Sequence, residues 1–168
     1  GKATTAAVSI VFTPSSSILV NGVITINVPS GYFATRSSAA ANLMTLTCAS
    51  ACSNSVVTTA VAVTASQITV VVTGAPTTAN SAHTLTFPAG VLTTGAPQAG
   101  TAAGITVSTT QDFASAGSAS LALGAQVSVG TSLTFADAAD RVGGKTTGTA
   151  GAVSIVFTPS SSILVNGV

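Results

Sequence analysis

The sequence predicts an all-β protein folded as a two-sheet β-sandwich, and three observations predict it. Apolar and polar residues alternate with period two along most of the chain, Gly, Pro and Asn punctuate it at short intervals, and one long stretch occurs twice. That stretch is AVSIVFTPSSSILVNGV, at 7–23 and again at 152–168, seventeen identical residues offset by 145 positions. A Gly-Lys pair precedes both copies, at Gly1-Lys2 and Gly144-Lys145, with two more residues between pair and repeat in the second. A period this long exceeds the roughly 20–50 residues of a solenoid unit and suits a whole domain. The expected organisation is a window on a tandem array with a repeat period of about 145 residues. Residues 1–124 form most of one β-sandwich repeat lacking its first strand, and 125–168 form the first strands of the next. The chain has no initiator Met and no charged-then-apolar leader, as expected of an internal piece of a longer or processed protein.

Each element follows from local pattern. Val8, Ile10 and Phe12 alternate with Ser9 and Thr13, Val11 being the exception, and Thr13-Pro14 ends this strand. Asn21-Gly22 signals a turn, after which Ile24, Ile26 and Val28 alternate with Thr25 and Asn27. Pro29 stops the ladder because it has no N–H to donate, and Pro-Ser-Gly delivers Tyr32 and Phe33 to the core. A strand at about 43–48 places Met44, Leu46 and Cys48 on one face. Segments 56–64 and 67–73 read as a hairpin around Ala65-Ser66. Leu85 and Phe87 then lead to Pro88-Ala89-Gly90-Val91-Leu92, the same corner pattern as Pro29 to Phe33. Ile105 and Val107 mark a further strand, with Asp112 capping the turn after it, and the small-residue stretch 117–126 is the expected junction between repeats. Past it, Val127, Val129, Leu133 and Phe135 mark a long strand with no counterpart before residue 7.

One unit thus holds several short strands separated by Gly, Pro and Asn turns, which points to an immunoglobulin-like sandwich without the Cys and Trp pattern of antibody domains. The expected core is Phe12, Ile26, Phe33, Leu46, Val70, Phe87, Ile105, Leu133 and Phe135.

Composition bounds the function. Charged residues make up 4% of the chain and the formal net charge is +1, so the Lys/Arg cluster that binds phosphate backbones is missing and nucleic acid is not an expected partner. Every apolar run is broken by Thr, Ser or Gly well short of the roughly 18 residues of a spanning helix, so no membrane insertion of this segment is expected. Hydroxyl side chains meet the solvent instead. A near-neutral surface also lacks the repulsion that keeps molecules apart, which favours association of neighbouring copies.

Candidate sites are few. Cys48 and Cys52 are spaced for a local disulfide, and the alternative, a zinc site, would need ligands beyond the single histidine. His83 has no Gly-x-Ser-x-Gly elbow to serve and is read as structural, so no enzyme and no cofactor is expected. Gly143-Gly144-Lys145-Thr146 lacks the upstream glycine of a phosphate-binding loop. Asp137 and Asp140 are a weak calcium candidate, two carboxylates where six or more oxygens are needed, and beside Arg141 they read more simply as a solvated loop. No Asn-x-Ser/Thr sequon occurs, whereas Thr13, Pro14, Ser15, Ser16 and Ser17, with Thr158, Pro159 and Ser160 in the second copy, are candidates for O-glycosylation or proline modification.

The segments VSIVFTP (8–14), GVITINVPSGYF (22–33) and ITVSTTQD (105–112) resemble the tandem β-sandwich repeats of very large, low-charge surface and fibre-forming proteins of algae and bacteria. The resemblance implies an extracellular or cell-surface structural role, a filament of head-to-tail repeats whose partners are further copies and glycans. Strand exchange between neighbours, with 127–135 as the donor strand, is one form this could take. An adhesin stalk or glycan-binding module is the alternative. Ice binding is not expected, because the Thr-x-Thr pairs at 45–47 and 84–86 follow no regular short period.

Overall fold

The structure, a computed structural model, describes residues 1–36, 44–49, 56–124, 128–135 and 153–158. The described residues are all-β with no helix, in two antiparallel sheets, and so include no helix that could cross a membrane. The chain divides into two compact units, Gly1–Leu123 and Gly124–Val168.

The first unit contains β1 (Val8–Phe12), β2 (Val23–Asn27), β3 (Met44–Cys48), β4 (Val56–Val63), β5 (Gln67–Val72), β6 (His83–Phe87), β7 (Thr101–Thr109) and β8 (Ser118–Ser120). They hydrogen-bond in the order β1-β6-β3-β4-β5-β2-β7-β8. β4 turns the corner. Its start pairs with β3, Leu46 opposite Val56, its remainder pairs with β5, Val61 opposite Val70, and a bulge lies between Thr58 and Ala60. A bulge bends a strand and lets it pass from one layer to another. The inward rows on either side of β4 join one buried cluster, Met44, Leu46, Leu85 and Phe87 with Ile24, Ile26, Ile68, Val70 and Val72, an arrangement compatible with a β-sandwich.

The order conceals a duplication. The first four strands, β1-β6-β3-β4, and the last four, β5-β2-β7-β8, are the same arrangement with each strand replaced by the one four places away in sequence. Residues 21–33 align with 80–92 at an offset of 59, so that Asn21 matches Asn80, Ile26 matches Leu85 and Gly31 matches Gly90. Both asparagines adopt positive φ, 67° and 57°, a left-handed conformation that Asn tolerates. The Asn21 N–H donates to Val72 O and the Asn80 N–H to Pro14 O, at 2.7 and 2.8 Å. Ile18 and Thr77, equivalent at the same offset, bond to each other. The Ile18 N–H donates to Thr77 Oγ1 at 2.8 Å and the Thr77 N–H to Ile18 O at 3.0 Å.

The expected corners are present and alike. The Tyr32 N–H donates to Pro29 O and the Val91 N–H to Pro88 O, closing turns whose third residues, Gly31 (φ 73°) and Gly90 (φ 79°), occupy a conformation costly to any residue with a Cβ. Tyr32, Phe33, Val91 and Leu92 are all buried behind them. The hairpin around Ala65-Ser66 also forms, with the Thr64 N–H donating to Gln67 O.

Of the expected core, Ile26, Phe33, Leu46, Val70 and Phe87 are buried, whereas Phe12 and Ile105 are only partly buried, and the side chains of Leu133 and Phe135 lie outside the described residues. One strand carries no alternation in its sequence. β8 is Ser-Ala-Ser, held by its ladder to β7 and by the Thr101 N–H donating to Ser120 Oγ at 3.0 Å.

The outward faces carry hydroxyls and amides in rows. Ser9, Thr86 and Thr45 stand abreast on β1, β6 and β3, with Ser9 Oγ and Thr86 Oγ1 3.0 Å apart. On β5, β2 and β7 the Gln67 Nε2 donates to Asn27 Oδ1 and the Asn27 Nδ2 to Thr106 Oγ1.

The second unit contains β9 (Ser128–Phe135) and β10 (Val153–Thr158), paired antiparallel with Val153 opposite Phe135, Ile155 opposite Leu133 and Phe157 opposite Val129. β10 is the second copy of the VSIVF of β1, so the duplicated sequence forms a strand in both places.

Candidate functional site

The distinctive surface of the first unit is the gap between the two ends of its strand order, where β1 faces the β7–β8 side. The partners of β1 among the described residues lie on one edge only, along β6, with Val8 opposite Phe87, Ile10 opposite Leu85 and Phe12 opposite His83. Beside it runs a cleft of ≈ 840 Å³, lined by 9–15 on one wall and by Ile105, Val107 and 111–116 on the other. A smaller void of ≈ 340 Å³ lies among Val8, Ile10, Val28, Ile105 and Leu121. Both are predominantly apolar.

Local hydrogen bonds tie the two walls together at one end and fix their shape. Asp112 caps the turn after β7: its N–H donates to Thr109 Oγ1 at 2.9 Å, and its Oδ2 accepts the Thr109 hydroxyl at 3.4 Å. The same Oδ2 accepts the Ser16 N–H at 3.2 Å, tying the loop after β1 to the opposite wall. Tyr32 reaches in from its corner, where its hydroxyl donates to Leu121 O at 3.0 Å and its ring meets Phe33 edge-on at 5.0 Å. Around this frame large apolar groups are exposed: Val11 at 66%, Leu121 at 78% and Phe113 completely. Val11 and Phe113 line the larger cleft and Leu121 the smaller void, and apolar exposure grouped in this way suits a contact surface better than scattered single residues would.

The residues singled out in the sequence are dispersed. Thr13, Ser15 and Ser17 are exposed on the loop after β1, Ser16 is half-buried, and Pro14 is buried with its carbonyl engaged by Asn80. Thr158 ends β10, while Pro159, Ser160, Asp137 and Asp140 lie outside the described residues. Cys48, at the end of β3, is disulfide-bonded; Cys52, the only other cysteine in the chain, also lies outside them. His83 is buried in β6, its Nε2 2.9 Å from Thr78 O and its ring 6.1 Å from that of Phe12. Among the described residues no three His, Cys, Asp or Glu side chains gather as metal ligands.

Sequence reasoning missed the cleft. One signal was available: Val11 interrupts the alternation of VSIVF, an apolar side chain on the face where Ser9 and Thr13 point outward. Comparison with known proteins adds no relative, since no family model, curated protein or solved structure matches the chain.

Proposed function

We propose that this chain is part of a structural subunit of an extracellular filament or cell-surface appendage built from head-to-tail immunoglobulin-like β-sandwich repeats. The observation that carries the reading is the duplication of residues 7–23 at 152–168, together with formation of the same strand by both copies, β1 and β10. An immunoglobulin-like topology is supported by β2 beside β5, β3 beside β6, and β4 turning from one pair to the other. The chain ends depart from that plan, with β1 on the outer edge of β6 and β7 on that of β2. An oxidising, extracellular location is supported by the disulfide at Cys48 and by outward rows of hydroxyls in place of charges. O-linked sugars would sit on the exposed hydroxyls of Thr13, Ser15 and Ser17.

β9 pairs with β10, the strand that follows it in sequence, so the reading keeps the leading strands of each repeat together and needs no exchange between neighbours. A glycan-binding platform built on tyrosine finds no support, because Tyr32 is the only tyrosine and is buried. Intact-mass measurement of the native material, before and after deglycosylation, tests the proposal. A very large polypeptide that loses mass on deglycosylation is expected; a protomer of about one repeat would refute the covalent array.

A further inference from the structure

We propose that the free edge of β1, with the cleft beside it, is a docking site for a strand of the sequence Ser128–Phe135 supplied by a second copy of that segment. Three independent observations converge on this occupant.

The first is incomplete burial along the cleft. Ile10 and Phe12 of β1, and Ile105 and Val107 of β7, point toward the core yet remain partly exposed, whereas the residues that match them in ladder register, Ile68 and Val70 of β5 and Met44 and Leu46 of β3, are buried. A further apolar strand laid along β1 covers both rows at once. The second is the duplication inside the unit. β5, the equivalent of β1, is flanked on both edges, by β2 and by the eight-residue β4, whereas among the described residues β1 has only β6. β8, the counterpart of β4, pairs only with β7, so the vacant place beside β1 corresponds to the part of β4 that pairs with β5; β9, like β4, is eight residues long.

The third names the sequence. β10 repeats the VSIVFT of residues 8–13, and its partner is β9. Carried back by 145 positions, that register sets Phe135 opposite Val8, Leu133 opposite Ile10, and Val129 opposite Phe12. Directly opposed residues of an antiparallel pair share a face, so the three apolar side chains join the half-covered inward row. The irregularity between Ile155 and Phe157, opposite 130–132, falls at Val11, the one apolar residue of β1 on the outward face. The segment 128–135 carries no charge, and the ionised group lining the cleft, Asp112, is already engaged by Ser16 and Thr109. Recognition is then strand addition, in which the backbone ladder gives affinity and alternate side chains give register. In a tandem array this segment leads into β1 just as β9 leads into β10. The inference draws on burial and repetition, not on location or glycans, so an intracellular or unglycosylated protein would leave it standing.

A synthetic peptide of residues 126–136, titrated into the full chain and followed by amide hydrogen exchange, tests it. One peptide per chain is expected, with exchange at Val8–Phe12 slowed by about tenfold or more. The same peptide carrying Leu133→Asp and Phe135→Asp is expected to leave exchange unchanged. Absence of binding, equal protection by the doubly substituted peptide, or protection confined to Val153–Thr158 would each overturn the proposal. A chain carrying Ile10→Asp keeps the β10 pair intact and is expected to lose the response; a response that survives this substitution also overturns it.

Discussion

The two seams of the first unit are built from equivalent strands and differ in what closes them. At one, β4 runs between β3 and β5, and Met44, Leu46, Ile68, Val70 and Val72 lie buried behind it. At the other, β8 is three residues long, β1 has no second partner among the described residues, and the matching rows remain half-covered. Apolar pattern is therefore not enough to predict burial. Ile105 and Met44 occupy equivalent places, opposite Ser118 of β8 and Thr58 of β4, and only the one whose neighbouring strand continues across the seam is sealed.

That contrast can be broken by substitution. Leu46→Ala at the closed seam is expected to cost about 3 kcal/mol, whereas Ile105→Ala at the open seam costs about 1 kcal/mol, because only the first leaves a cavity in a sealed core. Chemical denaturation of the two variants checks the ratio; equal losses would mean that the seams do not differ in solution. Reduction of the disulfide at Cys48, which anchors the end of β3 beside the closed seam, is expected to lower stability by about 2 kcal/mol, the entropy of a short loop. Melting with and without reductant measures it.

Asp112→Ala removes the acceptor for Ser16 and Thr109 and is expected to cost about 1 kcal/mol. Its structural signature, faster amide exchange in 14–17 than in the strands, separates loss of the tie across the open seam from a general weakening. The smallest effect belongs to Phe113→Ser. Fully exposed, this phenylalanine is expected to change stability by less than about 0.5 kcal/mol. Peptide affinity at the open seam should nevertheless fall, and a large loss of stability would show that the ring is packed in solution.

What could be read from the sequence was whatever depends on neighbours along the chain. The Pro-small-Gly corners at 29–33 and 88–92, the hairpin at 64–67 and the turn at Asn21 are set by local backbone preference, and each is present. Alternation correctly assigned the faces of β2, β3, β5 and β6. It could not assign partners: β1 joins β6, with Ser9 beside Thr86, and nothing in VSIVF names HTLTF as its neighbour. Side-chain period tells a strand which way to face but leaves open whom to stand beside. β8 was unreadable for another reason, since Ser-Ala-Ser has no apolar side to alternate and is a strand only because β7 offers a ladder. The cleft combines both gaps, being defined by a distant pairing on one wall and by a strand without pattern on the other.

The outward rows of serine, threonine and amide side chains have a consequence for endurance. Among residues 1–124 only Lys2, Arg36 and Asp112 bear formal charge, with His83 counted neutral. Between dilute and concentrated brine, electrostatic screening lengths contract from about 10 Å at 0.1 M to about 3 Å at 1 M, weakening any protein held together by ion pairs. Bonds between neutral hydroxyls, such as Ser9 to Thr86, have almost nothing to screen. A fold held together this way should keep the same cohesion across that range, and its melting temperature should stay level as sodium chloride is raised.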